Sequence, residues 1–181
     1  YRRAWLHVRV TDERKRTLFE SGAVDKSGVI RGVSAGYAEH HDLITRPEEV
    51  QIYQAVMADA QGKPTWSLLR GATYFKDNRI PPKGFVATGP NTAQVAVCGG
   101  AERDSNFHAQ SNGRDAVTYR FDLPPSKGKL LIEVELLYQS VPPESVARLV
   151  KSREPAAETF ARLYGRQSKK PELVQRQLLE L

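Results

Sequence analysis

The feature that most constrains this chain is a period-two alternation of apolar and polar side chains, because it decides which residues can share one face of a strand. Near the amino terminus Ala4, Leu6, Val8 and Val10 fall on one side, and Trp5, His7 and Arg9 on the other. Further along, Val117, Tyr119, Phe121 and Leu123 alternate with Thr118, Arg120 and Asp122. Beyond residues 124–129 the alternation resumes, with Leu130, Ile132, Val134, Leu136 and Tyr138 set against positions that include Glu133 and Glu135. These two runs read as a half-buried strand, a turn and its partner. Weaker signals cover residues 17–20, 50–57 and 93–98, each bounded by Gly, Asp or Pro. Strands with one polar face belong to antiparallel sheets, since strands of a doubly covered parallel sheet are apolar throughout.

The pattern changes after Ser140. Pro142-Pro143-Glu144 can start a helix that places Val146, Leu149 and Val150 on one face, and Pro155 can start another carrying Phe160, Leu163 and Tyr164 before Gly165 stops it. A third helical stretch is expected from Glu172 towards Leu181, with Val174, Leu178 and Leu181 at helical spacing. The expected fold is therefore mainly β: an antiparallel β-sandwich of the immunoglobulin or fibronectin kind over residues 1–140, followed by a helical C-terminal appendage over residues 141–181. There is no internal repeat and no low-complexity segment.

Composition narrows the class. A chain of 181 residues and 20.3 kDa can bury a core large enough to need no disulfide or metal staple. No apolar run approaches the ~20 residues of a membrane helix. The single cysteine, Cys98, excludes an internal disulfide and also a CxxCH motif for covalent haem. The net charge of +6 suits acidic partners or polyanions, and residues 142–181 hold eight Lys and Arg against five Asp and Glu. No nucleic-acid readout motif accompanies that charge, so nucleic acid is not an expected partner. Tyr1 is not an initiator methionine and lies within or next to the first strand pattern, so an upstream region is expected.

Four local features have chemistry to offer. Gly32-Val33-Ser34-Ala35-Gly36 is a literal GxSxG with Asp104 and His108 later in the chain, but no helix pattern follows it and the sheet reads as antiparallel. Glu39-His40-His41-Asp42 makes His40 and His41 the candidate metal ligands, one of them joined by a distant histidine such as His7 or His108. Neighbouring residues of an extended chain point to opposite sides, so the pair is not expected to grip one ion together, and a solvated loop is the plainer reading. In Lys76-Asp77-Asn78-Arg79-Ile80-Pro81-Pro82-Lys83-Gly84-Phe85, the residues Asp77, Asn78 and Arg79 suit a rigid connector, or a contact to an anion or calcium ion. Cys98, at the end of an apolar run, reads as a small buried hydrophobe. No nucleophile, acid and base emerge as a set, so no catalytic residue is nominated.

The segments Arg2-Arg3-Ala4-Trp5-Leu6-His7-Val8, Leu18-Phe19-Glu20-Ser21-Gly22-Ala23-Val24-Asp25, Val50-Gln51-Ile52-Tyr53-Gln54, Asp77-Asn78-Arg79-Ile80-Pro81-Pro82-Lys83-Gly84-Phe85 and Val134-Glu135-Leu136-Leu137-Tyr138-Gln139-Ser140 resemble, in this order, the haem-free C-terminal domain of multihaem c-type cytochromes. The resemblance implies a periplasmic or extracellular accessory, structural or docking module of an electron-transfer protein. Its partner would be a haem-bearing domain or redox protein, and haem c would belong to an upstream region, since this chain has no haem motif and no cofactor of its own. The alternative is a ligand- or metal-binding sandwich module independent of haem, with His40 and His41 as first candidates.

Overall fold

In the computed structural model, residues 2–33, 35–85, 89, 95, 97–107, 113–123 and 128–181 are described. Their architecture is mainly β. Strand β1 (Arg3–Asp12) is followed by β2 (Thr17–Ser21), β3 (Leu43–Ile44), β4 (Ile52–Ala58), β5 (Pro64–Thr65), β6 (Thr73–Asp77), β7 (Thr118–Tyr119) and β8 (Leu130–Gln139). Helices α1 (Pro143–Val150) and α2 (Pro155–Gly165) lead to β9 (Glu172–Glu180). Among the described residues, β1, β2, β4, β5, β6, β8 and β9 form one antiparallel sheet, and β3 with β7 a small parallel one.

β1 organises the sheet. One edge pairs with β8 over its whole length, from Arg3↔Gln139 to Asp12↔Leu130. The other edge is divided: Arg3, Ala4 and Trp5 pair with β4, and residues 8–11 pair with β2. Both faces of β1 are used for burial. Trp5, fully buried, packs with Ile30, Val33, Val50, Ile52 and Leu137. On the opposite face Val10 packs with Phe19 and Ile44, under Val117, Tyr119, Phe121, Leu123 and Ile132. Between these clusters, on the Trp5 side, runs a charged ladder. His7 lies between Glu135 (2.9 Å) and Glu20 (3.2 Å), while Glu133 pairs with Arg9 and with Arg176 (2.8 Å).

Two buried contacts lock the Trp5 end. The indole Nε1 donates to the Gly22 carbonyl (2.8 Å). Gly22 has φ +81°, and a Cβ there would lie 2.3 Å from the Leu6 carbonyl oxygen, so only glycine fits. Arg3, almost wholly buried, donates from Nε and Nη2 to Gln139 Oε1 (3.0 and 2.7 Å) and from Nη1 and Nη2 to Glu144 (3.3 and 3.2 Å). The Arg3–Glu144 pair ties α1 to the sheet.

The structure corrects several expectations. The run around Val117 to Leu123 is not the hairpin partner of β8: β7 pairs in parallel with β3, and β8 lies between β1 and β9. The alternating side chains still face the core, because periodicity sets the face of a strand and not its neighbour. Residues 172–181 do not form a third helix. They form β9, antiparallel to β8, where the free edge of a long strand offers backbone partners that outweigh the modest helical preference of Leu, Gln and Glu. Helices α1 and α2 start and stop where the prolines and Gly165 place them. Their apolar stripe is only partly covered, with Val146 buried but Leu149, Val150, Phe160 and Leu163 exposed. Half of the expected strand over 93–98 lies outside the described residues; Cys98 makes an isolated antiparallel bridge to Asp77. A full sandwich needs a second antiparallel layer, and the described residues supply only the β3–β7 ribbon.

Removing the Glu144 carboxylate strands the Arg3 charge in the interior. Glu144→Ala is expected to lower stability by about 3 kcal/mol, and Arg3→Met in the same chain to recover part of that loss. Urea denaturation of the three proteins checks this, and additive losses would contradict it.

Candidate functional site

Gln51, just before β4, and Tyr53 within it face one side of the sheet, while Ile52 enters the Trp5 core on the other. Their polar ends meet three loop residues brought from far along the sequence: His40, Asp104 and Asp115. Tyr53 donates its hydroxyl to Asp115 Oδ2 (2.6 Å), and Gln51 Nε2 lies 3.2 Å from the same oxygen. Gln51 Nε2 is also 3.0 Å from His40 Nδ1, and Asn78 Nδ2 is 3.2 Å from that nitrogen. His40 Nε2 contacts Asp104 Oδ2 at 3.0 Å, and the ring stands edge-on to Phe107.

The hydrogen positions follow from the surroundings. Gln51 Oε1 accepts from the His41 backbone N–H (2.9 Å), which turns its amide nitrogen towards His40. Asn78 Oδ1 accepts from the Gln54 N–H (3.0 Å), with the same effect, and Asn78 Nδ2 also donates to the Ile52 carbonyl (2.8 Å). Two donors therefore converge on His40 Nδ1, which must accept, so Nε2 carries the hydrogen and donates it to Asp104. Asp104 takes further hydrogen bonds from the Asn106 backbone N–H (2.7 Å) and side-chain amide (2.8 Å).

Asp42 completes the group. Burial pushes its carboxyl up from the ordinary range, and the hydrogen bond to the neighbouring Asp104 pushes it further. Burial acts on Asp104 in the same sense, but hydrogen bonds from Asn106, Asp42 and His40 outweigh it and hold Asp104 low. A proton at this pair belongs to Asp42, with Asp104 ionised. The Tyr53 hydroxyl is held protonated, by burial first and then by Asp115.

His40, Asp42, Asp104 and Asp115 each offer a ligand atom, all within 4.8 Å of one another. Three carboxyl groups and one imidazole make a donor set dominated by hard oxygen, of the kind that suits Ca2+ or Mn2+. His40 reaches the group; His41 does not, and is bound instead through its backbone to Gln51. A cation held at Nε2 has to displace the hydrogen donated to Asp104. An ion held by the carboxylates alone leaves His40 to orient Asp104 from behind.

The other sequence candidates separate. Asn78 joins the site, whereas Asp77 and Arg79 engage each other through two parallel hydrogen bonds (2.9 and 2.5 Å), which commits the guanidinium locally. His7 belongs to the charged ladder of the sheet and not to this group. Ser34 and His108 lie outside the described residues. Cys98 is half-buried, burial pushes its thiol up, and Sγ is 3.8 Å from the Tyr74 carbonyl. Asp115 and Lys76 were not singled out for any role by sequence. Besides His40, the sequence features bring Asp42, Asn78 and Asp104 into view, each in a different context, whereas Gln51 and Tyr53 enter only through their segment and carry no role there. Comparison with protein-family models, with curated proteins and with solved structures gives no match.

Lys76 lies beneath this region, 1% exposed, with Nζ donating to the Ala38 (2.6 Å) and Ile52 (2.8 Å) carbonyls. Burial lowers it from the ordinary 10.5 to about 7. The unfolded chain then holds one more proton than the folded one between those values, so stability rises with pH across that window, by up to about 1.4 kcal/mol per unit, and the contribution is gone below pH 7. Lys76→Met is expected to remove this slope. Urea midpoints of both proteins from neutral to alkaline pH measure it, and parallel curves would contradict the assignment.

Proposed function

We propose that this chain is a non-catalytic accessory module that docks against a haem-bearing domain of a multihaem c-type cytochrome, in the periplasm or outside the cell. The observation that carries this reading is where the five resembling segments lie. Four of them supply β1, β2, β4 and β8, which pair around β1. The fifth places Asn78 on the β4 backbone. The segments that resemble that domain are thus those that depend on one another for folding. In this reading the β3–β7 ribbon, laid near Val10 and Phe19, stands for a reduced second layer of a sandwich.

A docking surface is available beside α1. A groove of about 840 Å³ is lined by apolar residues that include Trp66, Leu68, Leu69, Leu149 and Phe160, and by the cations Arg2 and Arg148. Leu69 is 99% exposed, and Arg148 stacks over Trp66 at 3.6 Å. Exposed apolar side chains rimmed by positive charge suit a partner with an acidic edge, such as one presenting haem propionates. No described helix is long and apolar enough to cross a membrane.

Titration of the chain against the haem-bearing region of a multihaem c-type cytochrome is expected to give an affinity that weakens as salt rises. Leu69→Asp and Arg2→Glu should each weaken it about tenfold, a loss of about 1.4 kcal/mol. Absence of binding, or an affinity indifferent to salt and to both substitutions, would remove this reading.

A second reading, cation binding without haem, is favoured by the convergence of His40, Asp42, Asp104 and Asp115. Ca2+ or Mn2+ at a hundredfold its Kd is then expected to stabilise the chain by about 2.7 kcal/mol. Asp104→Asn should abolish the effect and His41→Ala should leave it. Calorimetric titration without stoichiometric binding would rule it out.

A further inference from the structure

β9 ends the sheet, and its outer edge has no strand partner among the described residues. It is a long edge for one left open: nine residues, without proline or lysine, and with every position exposed. Leu173, Val174, Leu178 and Leu179 are each about half exposed. Edge strands are normally blunted by such charges or prolines, or by bulges, because an open ladder invites another strand. Here the one irregularity is the bulge at Val174, opposite the Leu136–Leu137 step of β8.

The sequence of this strand reads almost the same in both directions. Outwards from Arg176 come Gln175 and Gln177, then Val174 and Leu178, then Leu173 and Leu179, then Glu172 and Glu180. An antiparallel pair of two copies about a two-fold axis sets residue i of one against residue j of the other and the reverse, and here that register puts Val174 against Leu178, Leu173 against Leu179 and Gln175 against Gln177. Moving the axis by one residue to either side sets Leu or Val against Gln, Arg or Glu in every off-axis pair within Glu172–Glu180.

Backbone direction agrees with an axis at Arg176. Leu181 and Leu130 exchange both hydrogen bonds (3.0 Å each), so Leu181 points its backbone groups towards β8. By strict antiparallel alternation Leu179 and Gln177 do the same, while Glu180, Leu178 and Arg176 direct theirs outwards. Charge at the axis is compensated as well. Each Arg176 is held by Glu133 (2.8 Å) and Glu135 (2.9 Å), so two guanidinium groups facing each other bring four carboxylates with them. At the ends, Glu180 is paired with Lys129.

We propose that β9 pairs with β9 of a second copy of this chain, antiparallel and centred on Arg176, joining two sheets into one continuous sheet. The partner is a second copy because self-pairing in this register sets apolar against apolar and amide against amide. The like charges it brings together, Arg176 on Arg176 and Glu172 on Glu180, are offset by Glu133 and Glu135 at Arg176 and by Lys129 at Glu180. The inference is independent of the docking proposal.

Sedimentation equilibrium of the full chain tests it, with twice the monomer mass as the expected result. Val174→Lys and Leu178→Lys should each return the chain to a monomer with its circular dichroism unchanged, while Leu69→Lys, on the other surface, should leave the dimer intact. In a Cys98→Ser background, mild oxidation should cross-link Arg176→Cys to its own copy and leave Leu179→Cys, which faces Leu173, unlinked. A monomeric parent chain, an open-ended polymer, a dimer that survives both lysine substitutions, or linkage through position 179 in place of 176 would each overturn the proposal.

Discussion

Everything in this fold rests on the pairing of β1 along both of its edges. A strand with one full-length neighbour and two partial ones has little freedom of register, because a slip of one residue would exchange Trp5 with Leu6 and Val10 with Arg9. Trp5 would leave the core cluster that it shares with Ile52 and Leu137, and Val10 would leave Phe19. The indole bond to Gly22 and the Arg3 bonds to Gln139 and Glu144 hold the same register through polar contacts. The candidate site inherits this order. Gln51 and Tyr53 are placed by the β4 segment that pairs with Ala4 and Trp5, and the histidine and carboxylates gather on them.

The parts legible in the sequence are those where local pattern and final structure agree. Ala4, Leu6, Val8 and Val10 announce β1, the run from Leu130 to Tyr138 announces β8, and Pro143, Pro155 and Gly165 bound the helices because ring geometry and chain flexibility act locally. β9 was not legible. Its Leu, Gln, Glu and Arg residues have no marked strand preference, and its pairing with β8 is set by an edge more than thirty residues upstream. Of the β3–β7 ribbon, β7 lies inside the alternation of residues 117–123, but β3, two residues long, leaves no periodic trace, so their parallel pairing was not legible.

The site divides in the same way. An imidazole beside carboxylates makes His40 and His41 equal candidates in the sequence, and the structure separates them by bringing His40 and not His41 to the group. Its partners were hidden because Asp104 lies 64 residues from His40, and Asp115 lies 62 residues from Tyr53. Only folding brings them together. Lys76 was hidden for a different reason: lysine is ordinarily a surface residue, and its burial depends on two carbonyls that no local pattern specifies. Within this group amides fix the imidazole and the imidazole orients Asp104.

Amide hydrogen exchange resolved by NMR tests the central role of β1 most directly. The slowest exchange is expected in β1 and β8, with close cross-strand contacts between His7 and Glu135 and between Glu135 and Arg176. Rapid exchange throughout β1, or helical contacts across residues 172–180, would contradict the account.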